Sequence, residues 1–459
     1  MENNNIDLLL KLQKEFFGSG KTLSVKFRIE MLKVLYNSVK AHETQIKDAL
    51  YKDLGKSEFE SYMCETGLLL SEITYMIKHT KKFAKKKRVS TPLSQFPSKS
   101  YIQPSPLGNV LIISPWNYPI LLTLEPLANA IAAGNTAILK PSAYAPNSSK
   151  ILSEIIKECF PPEYVALIEG GRKENSLLLS KKFDLVFFTG SKSVGKEVLR
   201  HTAEHLTPAV LELGGKSPCI VDESAKIPLS AKRIIFGKFL NCGQTCVAPD
   251  YILCHSSVKK QLVEELKKQI VLQFGSSPLE NESYGKIINE KHFNRLTELL
   301  QNSTVLYGGN WDENKLKITP TIVEATKDSK IMEDEIFGPI LPILTYETIN
   351  DVISYINSKP KPLSLYIFSE SKENINNITE RISYGGGCIN DVIIHLATSE
   401  MGFGGVGESG MGQYHGKAGF DAFSHKKSIV NKRMWLDLPM RYQPYKKGLM
   451  EKLVRMFLK

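Results

Sequence analysis

Cys246 lies in the segment Asn241-Cys242-Gly243-Gln244-Thr245-Cys246-Val247-Ala248-Pro249. A cysteine that attacks carbon does so as its thiolate, which needs a helix end, a nearby cation or another stabilising field. Taken alone, the segment suits a small buried hydrophobe equally well, since that is how most free cysteines behave. Glu212 lies in Leu211-Glu212-Leu213-Gly214-Gly215-Lys216-Ser217-Pro218, at the end of an apolar run and beside two glycines. In apolar surroundings a carboxyl group holds its proton to higher pH and can serve as a general base near neutrality. In a solvated turn it does neither.

Four further segments carry polar groups where a cofactor or an oxyanion needs them. Phe188-Thr189-Gly190-Ser191-Lys192-Ser193-Val194-Gly195-Lys196 ends an apolar run and opens a helical one. Amides at a helix N-terminus favour an anion such as a pyrophosphate. The full G-x-G-x-x-G pattern is absent, so an ordinary glycine turn is the competing reading. Pro115-Trp116-Asn117-Tyr118-Pro119 is a loop fixed by two prolines that presents the Asn117 amide, the kind of donor an oxyanion requires. Lys140, in Leu139-Lys140-Pro141-Ser142, suits ribose hydroxyls or phosphate. In Glu335-Ile336-Phe337-Gly338-Pro339 a carboxylate and an aromatic ring stand two apart, on one face of an extended segment.

The elements that must position these groups alternate. Val110–Ile113, Ala137–Leu139, Val165–Ile168, Leu185–Phe188 and Val210–Leu213 are strand-like. Leu121–Ala133, Ser148–Cys159 (capped by Asn147) and Lys192–Glu204 are helical between them. Such alternation means βαβ units and a parallel sheet. A second block repeats the pattern with strands at Cys219–Val221, Tyr251–Cys254, Ile318–Val323, Ile340–Thr345 and Leu365–Phe368, and helices at Ser257–Leu272 and Thr348–Asn357. Gly385–Asn390 and the glycine-rich stretch Gly402–Gly412 are expected to close it. Upstream, Phe27, Met31, Leu32, Leu35 and Val39 recur at helical spacing, as do Met63, Leu70, Ile73 and Ile77. Lys81–Pro106 reads as an extended basic arm. Ser428–Arg433 is a strand that returns to the first unit or pairs with another subunit.

The 459 residues, 42% hydrophobic and 23% charged, suit a soluble protein of two or three units. Met1–Phe17 shows no apolar signal core, and no run is long enough to span a bilayer. Seven cysteines without a Cys-x-x-Cys pair argue against a disulfide framework or a structural zinc. They fit a reducing, cytoplasmic setting, and no metal is expected. The net charge of +11 is read as a solvated surface that favours a phosphate-bearing cofactor. Nucleic-acid binding is not expected, because the basic residues are not interleaved with aromatics.

Together and in this order, the six segments resemble the aldehyde dehydrogenase superfamily over nearly the whole chain. The short N-terminus, the Pro115–Pro119 loop and the total length are similar to the class 3, or fatty-aldehyde, branch. The resemblance implies an α/β fold with a Rossmann-like cofactor-binding domain (1–80 and 107–210) and a second α/β catalytic domain (211–412). A small β oligomerisation arm (81–106 and 413–445) and a basic amphipathic tail (446–459) complete it. It implies NAD(P)-dependent oxidation of an aldehyde, medium- to long-chain aliphatic or aromatic, to the acid. Cys246 would be the nucleophile, Asn117 and the Cys246 amide the oxyanion donors, and Glu212 the general base. Lys140, Gly190, Ser191, Glu335 and Phe337 would hold the cofactor, and Tyr62, Tyr118 and Phe403 would line the substrate channel. Cys242 would be a neighbour, able to form a reversible disulfide with Cys246 under oxidation.

Relatives that prefer NAD often place a Glu just after the Lys-Pro-Ser segment, where it binds the ribose 2′-hydroxyl and repels a 2′-phosphate. Ala143 stands there, so use of both NAD and NADP is expected. A homodimer is implied by the resemblance. In the tail, Leu449/Met450, Leu453/Val454 and Phe457/Leu458 repeat every four residues, with Lys447, Lys452, Arg455 and Lys459 largely elsewhere on the wheel. That pattern suits weak peripheral contact with an anionic membrane or packing on the protein itself. The competing functions are a CoA-acylating aldehyde dehydrogenase, a glutamyl-phosphate-reductase-like enzyme and a catalytically silent binding protein of the same fold. The intact Glu212 and Cys246 argue against all three.

Overall fold

The computed structural model describes residues 3–437, 441–445 and 448–458. Two large sheets organise them. The first runs in the spatial order Gly410–Met411, Ala209–Leu213, Leu185–Gly190, Asn109–Ile113, Thr136–Lys140, Val165–Leu167. Its pairings are parallel except for the short Gly410–Met411 edge. The second runs Thr304–Tyr307, Thr321–Glu324, Ile340–Tyr346, Tyr251–His255, Pro218–Val221, Ser364–Phe368, Gly386–Ile389, again parallel apart from its first strand.

Both sheets are covered on both faces, which explains why their strands are continuous apolar runs. Val110, Ile112, Leu139 and Phe187 enter one core, while Leu111, Ile113, Ile138, Val186 and Phe188 enter another. In the second sheet Ile220, Leu253, Leu365 and Ile367 face one core, and Cys219, Val221, Ile252, Cys254 and Tyr366 the opposite one. The period of two in side-chain direction sorts alternate residues between layers.

Several expectations need correction. Gly402–Gly412 does not close the second sheet: Gly410 pairs with Glu212 and Met411 with Leu211, antiparallel, in the first. A Cβ on Gly410 would lie 2.2 Å from the Leu211 carbonyl oxygen, so only glycine allows this approach. The strand expected at Ile318–Val323 is two pieces. Lys317–Ile318 pairs with Trp311–Asp312, and Thr321–Glu324 joins the main sheet; Pro320 between them has no N–H for a ladder. Asn147 is not a helix cap. The helix Pro146–Cys159 opens on a proline, and the Asp53 carboxylate accepts from the backbone amides of Asn147 and Ser148 at 3.2 and 2.8 Å. A distant carboxylate thus does the capping, which no local pattern encodes.

The Lys81–Pro106 arm and the C-terminal strand pair with each other. Ser98–Pro106 lies between Lys87–Val89 and Ser424–Lys432, antiparallel to both. The tail forms a helix at Leu449–Phe457. Of the tail residues singled out by sequence, Lys447 and Lys459 lie outside the described ones. Among the described residues no helix is long and apolar enough to cross a membrane.

Candidate active site

In the first sheet, strands Asn109–Ile113, Thr136–Lys140 and Val165–Leu167 proceed outward in one direction, whereas Leu185–Gly190 adds on the other side of Asn109–Ile113. The reversal leaves a crevice beyond the carboxyl ends of those two neighbouring strands, where doubly wound sheets bind ligands. The loop carrying Asn117 follows one strand, and Gly190-Ser191 ends the other. Glu212 stands on the next strand over, opposite Thr189.

Cys246 reaches this crevice from the second unit. The chain before it makes a left-handed turn, with Asn241, Cys242 and Gly243 at φ of 50°, 53° and 73°. Two successive non-glycine residues in that region are strained, and such strain persists only where surroundings over-determine it. Here Glu60 Oε1 accepts from the Asn241 amide at 2.8 Å. Asn241 Nδ2 donates to the Asn117 carbonyl at 2.8 Å, and Gln244 Nε2 and Oε1 bond Lys286 O and the Ile288 amide. Cys242 packs in the second unit's core, whereas Cys246 packs against the first unit's.

Cys246, Asn117, Glu212, Gly190, Ser191, Glu335, Phe337 and Phe403 line one cavity of about 320 Å³. Trp116, Leu122, Leu363 and Tyr414 add apolar wall. Asn117 Nδ2 donates to the Gln244 carbonyl at 3.0 Å, which leaves its second N–H for the cavity. Burial pushes the Cys246 thiol up to about 12, with the Glu335 and Glu212 carboxyls adding to the shift. Glu212 is 2% exposed, and neither carboxyl oxygen has a hydrogen-bond partner among the described residues. Burial alone raises its pKa well above the carboxylate range.

The other sequence-derived residues divide. Burial, then Asp250, raises Glu335 to about 8, and its Oε2 occupies the space a Cβ on Gly214 would need, at 2.0 Å. Its segment is tied down from behind: Lys216 Nζ donates to Asp250 at 2.7 Å and to the Asp334 carbonyl at 2.7 Å, while Asp250 accepts from the Ile336 amide. Phe337 packs edge-on against Trp116, ring centroids 5.4 Å apart. Ser191 stands at the N-terminus of the fourteen-residue helix Lys192–His205, and its side chain makes no bond to the helix amides. Lys140 is buried and donates to the Pro141 and Gly170 carbonyls at 2.7 and 2.6 Å, with its pKa lowered to about 8 by burial. Tyr118 is buried behind the cavity, its hydroxyl 2.6 Å from Thr245 Oγ1. Tyr62 does not join the others. It is 48% exposed and lines a separate open groove with Tyr36, Leu70 and His79.

Sequence reasoning missed Tyr414, Leu363 and His292 in the cavity wall. The His292 ring lies tilted against Trp116, centroids 5.3 Å apart, and burial holds its pKa down at about 4. It also missed Lys56 and Glu65. A lysine after a helix-ending glycine looks like surface, and only long-range packing buries it.

A thiol, an amide donor and an unpartnered carboxyl, gathered at the switch point of a doubly wound sheet, are what a dinucleotide-linked enzyme with a cysteine nucleophile requires. The comparisons specify the class. The family model described as the aldehyde dehydrogenase family matches residues 2–429, and the chain belongs to that family. It is 49% identical over 436 residues to the 4,4'-diaponeurosporen-aldehyde dehydrogenase of Staphylococcus aureus, covering 94% of this chain and 95% of that one. It is 42% identical to aldehyde dehydrogenase family 3 member A2 of Mus musculus, covering 91% and 87%, and 42% to the dimeric NADP-preferring enzyme of Rattus norvegicus, covering 94% and 95%. The solved substrate-bound S. aureus AldH superposes with a TM-score of 0.97 at 47% identity, covering 99% of each chain. The NAD-dependent aldehyde dehydrogenase of Sinorhizobium meliloti gives 0.86 at 26% identity, covering 95% and 88%. The fold, the class 3 likeness and NAD(P)-dependent oxidation of aldehydes, as the resemblance implied, therefore hold for this chain.

Proposed function

We propose that Cys246 carries the aldehyde as a thiohemiacetal and then a thioester, and that Glu212 drives its hydrolysis. The observation that carries this reading is the common cavity that holds Cys246, Asn117 and Glu212. Cys246 releases its thiol proton to water, Sγ adds to the carbonyl carbon, and the new oxyanion accepts from Asn117 Nδ2 and the Cys246 amide. A dinucleotide held in this cavity by Gly190, Ser191 and Glu335 would supply the hydride acceptor. Glu212 takes a proton from water as the water attacks the thioester carbon. The acid leaves, and Sγ regains a proton.

The residues fit such a cofactor. Uncapped amides at the N-terminus of Lys192–His205 suit a pyrophosphate. Glu335 suits ribose hydroxyls, with Phe337 packed beside it. Lys140 would release one of its two carbonyl partners to reach the adenosine ribose. The apolar walls at Trp116, Leu122, Leu363 and Phe403 suit a medium- to long-chain or aromatic aldehyde. Ala143 is exposed and sets no carboxylate against a 2′-phosphate, so both NAD and NADP serve. A NADP/NAD ratio of kcat/KM below about one in a hundred, roughly 2.7 kcal/mol, would overturn dual use.

The all-antiparallel arm leaves Lys87–Val89 and Ser424–Lys432 as edges, the surface on which a homodimer would form. Exposed Leu449 and Met456 on the tail helix, with Leu458 just beyond it, suit weak contact with an anionic membrane, and seven free cysteines suit the cytoplasm. The mechanism is tested by NADH or NADPH release at 340 nm across short, long-chain and aromatic aldehydes. Cys246→Ala should abolish it, and Glu212→Gln should give a burst and a trapped thioester. A Cys246→Ala enzyme with wild-type turnover would refute the reading.

A further inference from the structure

Lys56 and Glu65 lie away from the cavity yet are 1% and 0% exposed. Lys56 Nζ sits 2.5 Å from Glu65 Oε1. The same ammonium lies 3.3 Å from the Asn117 carbonyl oxygen and 4.3 Å from the centre of the Tyr118 ring. The other carboxylate oxygen, Glu65 Oε2, accepts from the backbone amides of Ile120 and Leu121 at 2.9 and 3.3 Å. One ion pair thus touches the chain at residues 117, 118, 120 and 121, the loop that presents the Asn117 amide and the start of helix Leu121–Ala133. The Asn117 carbonyl is shared: Asn241 Nδ2 donates to it as well, and Asn241 N is held by Glu60. The loop with the oxyanion donor and the strained turn that leads to Cys246 therefore hang on the same ten residues, 56–65.

We propose that Lys56 and Glu65 are positioning residues for the reaction, a buried ion pair that fixes the Asn117 loop against the Cys246 turn. This rests on the reading that the Asn117 amide binds the oxyanion. An apolar pair could fill the same volume and often stabilises a fold as well or better. What it could not do is hold a carbonyl and two amides in directed contacts. An oxyanion donor works only when held within a few tenths of an ångström of the oxygen it must meet. Neither residue lines the cavity, so their effect passes through the loop they hold, and the proposal assigns it to Asn117.

The test is a mutant cycle on the full-length enzyme, with steady-state turnover, aldehyde KM and cofactor Kd measured for each protein. The perturbed pair is Lys56→Met, with the neutral double change Lys56→Met/Glu65→Gln as the version that leaves no lone buried charge. Each is made in the wild-type and the Asn117→Ala background, and circular dichroism confirms the fold. In the wild-type background kcat should fall about 100-fold, as for loss of one oxyanion donor, with aldehyde KM and cofactor Kd within about threefold. In the Asn117→Ala background the same change should lower kcat by less than about threefold. Lys56→Arg should restore most of the turnover.

A similar loss in both backgrounds, or unchanged kcat in the neutral double variant, overturns the proposal. A parallel loss of cofactor affinity also overturns it, since that marks general disruption. If Asn117→Ala itself leaves kcat unchanged, the oxyanion reading is what has failed. If Asn117→Ala is slow and the Lys56 variants are not, only the positioning role has failed.

Discussion

Glu212 and Glu65 are both carboxyls taken almost wholly out of water, within one catalytic neighbourhood. Glu65 accepts from Lys56 Nζ and two backbone amides. Glu212 accepts from nothing among the described residues. Burial pushes both upward, but at Glu65 Lys56 and the two amides oppose it, whereas at Glu212 no opposing cause acts. A buried polar group without a partner is costly and needs an explanation. The difference teaches which carboxyl is fastened in place and which is kept free to take a proton.

The comparison breaks first on turnover. Glu212→Gln keeps the shape and removes the base, so kcat should fall about 10²- to 10⁴-fold while a burst of reduced cofactor survives. Stopped-flow absorbance at 340 nm reads both. Loss of the burst together with turnover would move Glu212 from hydrolysis to an earlier step. Glu65→Leu tests the opposite end. It strands Lys56 in the interior, and loss of one partner of a buried pair costs about 3–5 kcal/mol. Urea unfolding should show that loss, and a change under 1 kcal/mol would mean that the pair is solvated in solution.

The pH dependence of stability separates the two next. With its native pKa raised, Glu212 holds a proton that the unfolded chain has released above the ordinary carboxylate range. Native stability therefore falls as pH rises from that range toward the native value. Glu212→Gln removes this fall. Wild type and variant should have similar Tm at pH 4, and the variant should gain on wild type as pH rises to 8. Parallel Tm curves would show that Glu212 ionises in the folded protein at its ordinary pKa.

Much of this was legible in the residues. The alternating apolar runs marked both sheets, because strands buried on two faces cannot hide as amphipathic ones do. The segments around Cys246, Glu212, Asn117 and Glu335 announced themselves by glycines and prolines that bring backbone close to a ligand. What was not legible depended on contacts far apart in sequence. Asp53 caps a helix 94 residues away, and Gly410 crosses to the first sheet. Tyr62 has the right residue type beside the right segment, but the five-residue π-helical turn Tyr62–Thr66 leaves its side chain on the surface. In the sequence Lys56 is one lysine among many, and nothing in its own segment says that Glu65 and Asn117 will enclose it.

The smallest effect sharpens the comparison most finely. Tyr118 belongs to the fastened region, but its link to the cysteine segment is a neutral hydrogen bond, its hydroxyl to Thr245 Oγ1 at 2.6 Å. Tyr118→Phe removes that bond and keeps the ring above Lys56. A neutral bond is worth about 1 kcal/mol net, so the loss of stability should be about 1 kcal/mol. Turnover should change only a few-fold, because Lys56, Glu65 and Asn241 still hold the Asn117 loop. A drop in kcat as large as that of the Lys56 variants would shift the anchor of the site from the ion pair to the tyrosine.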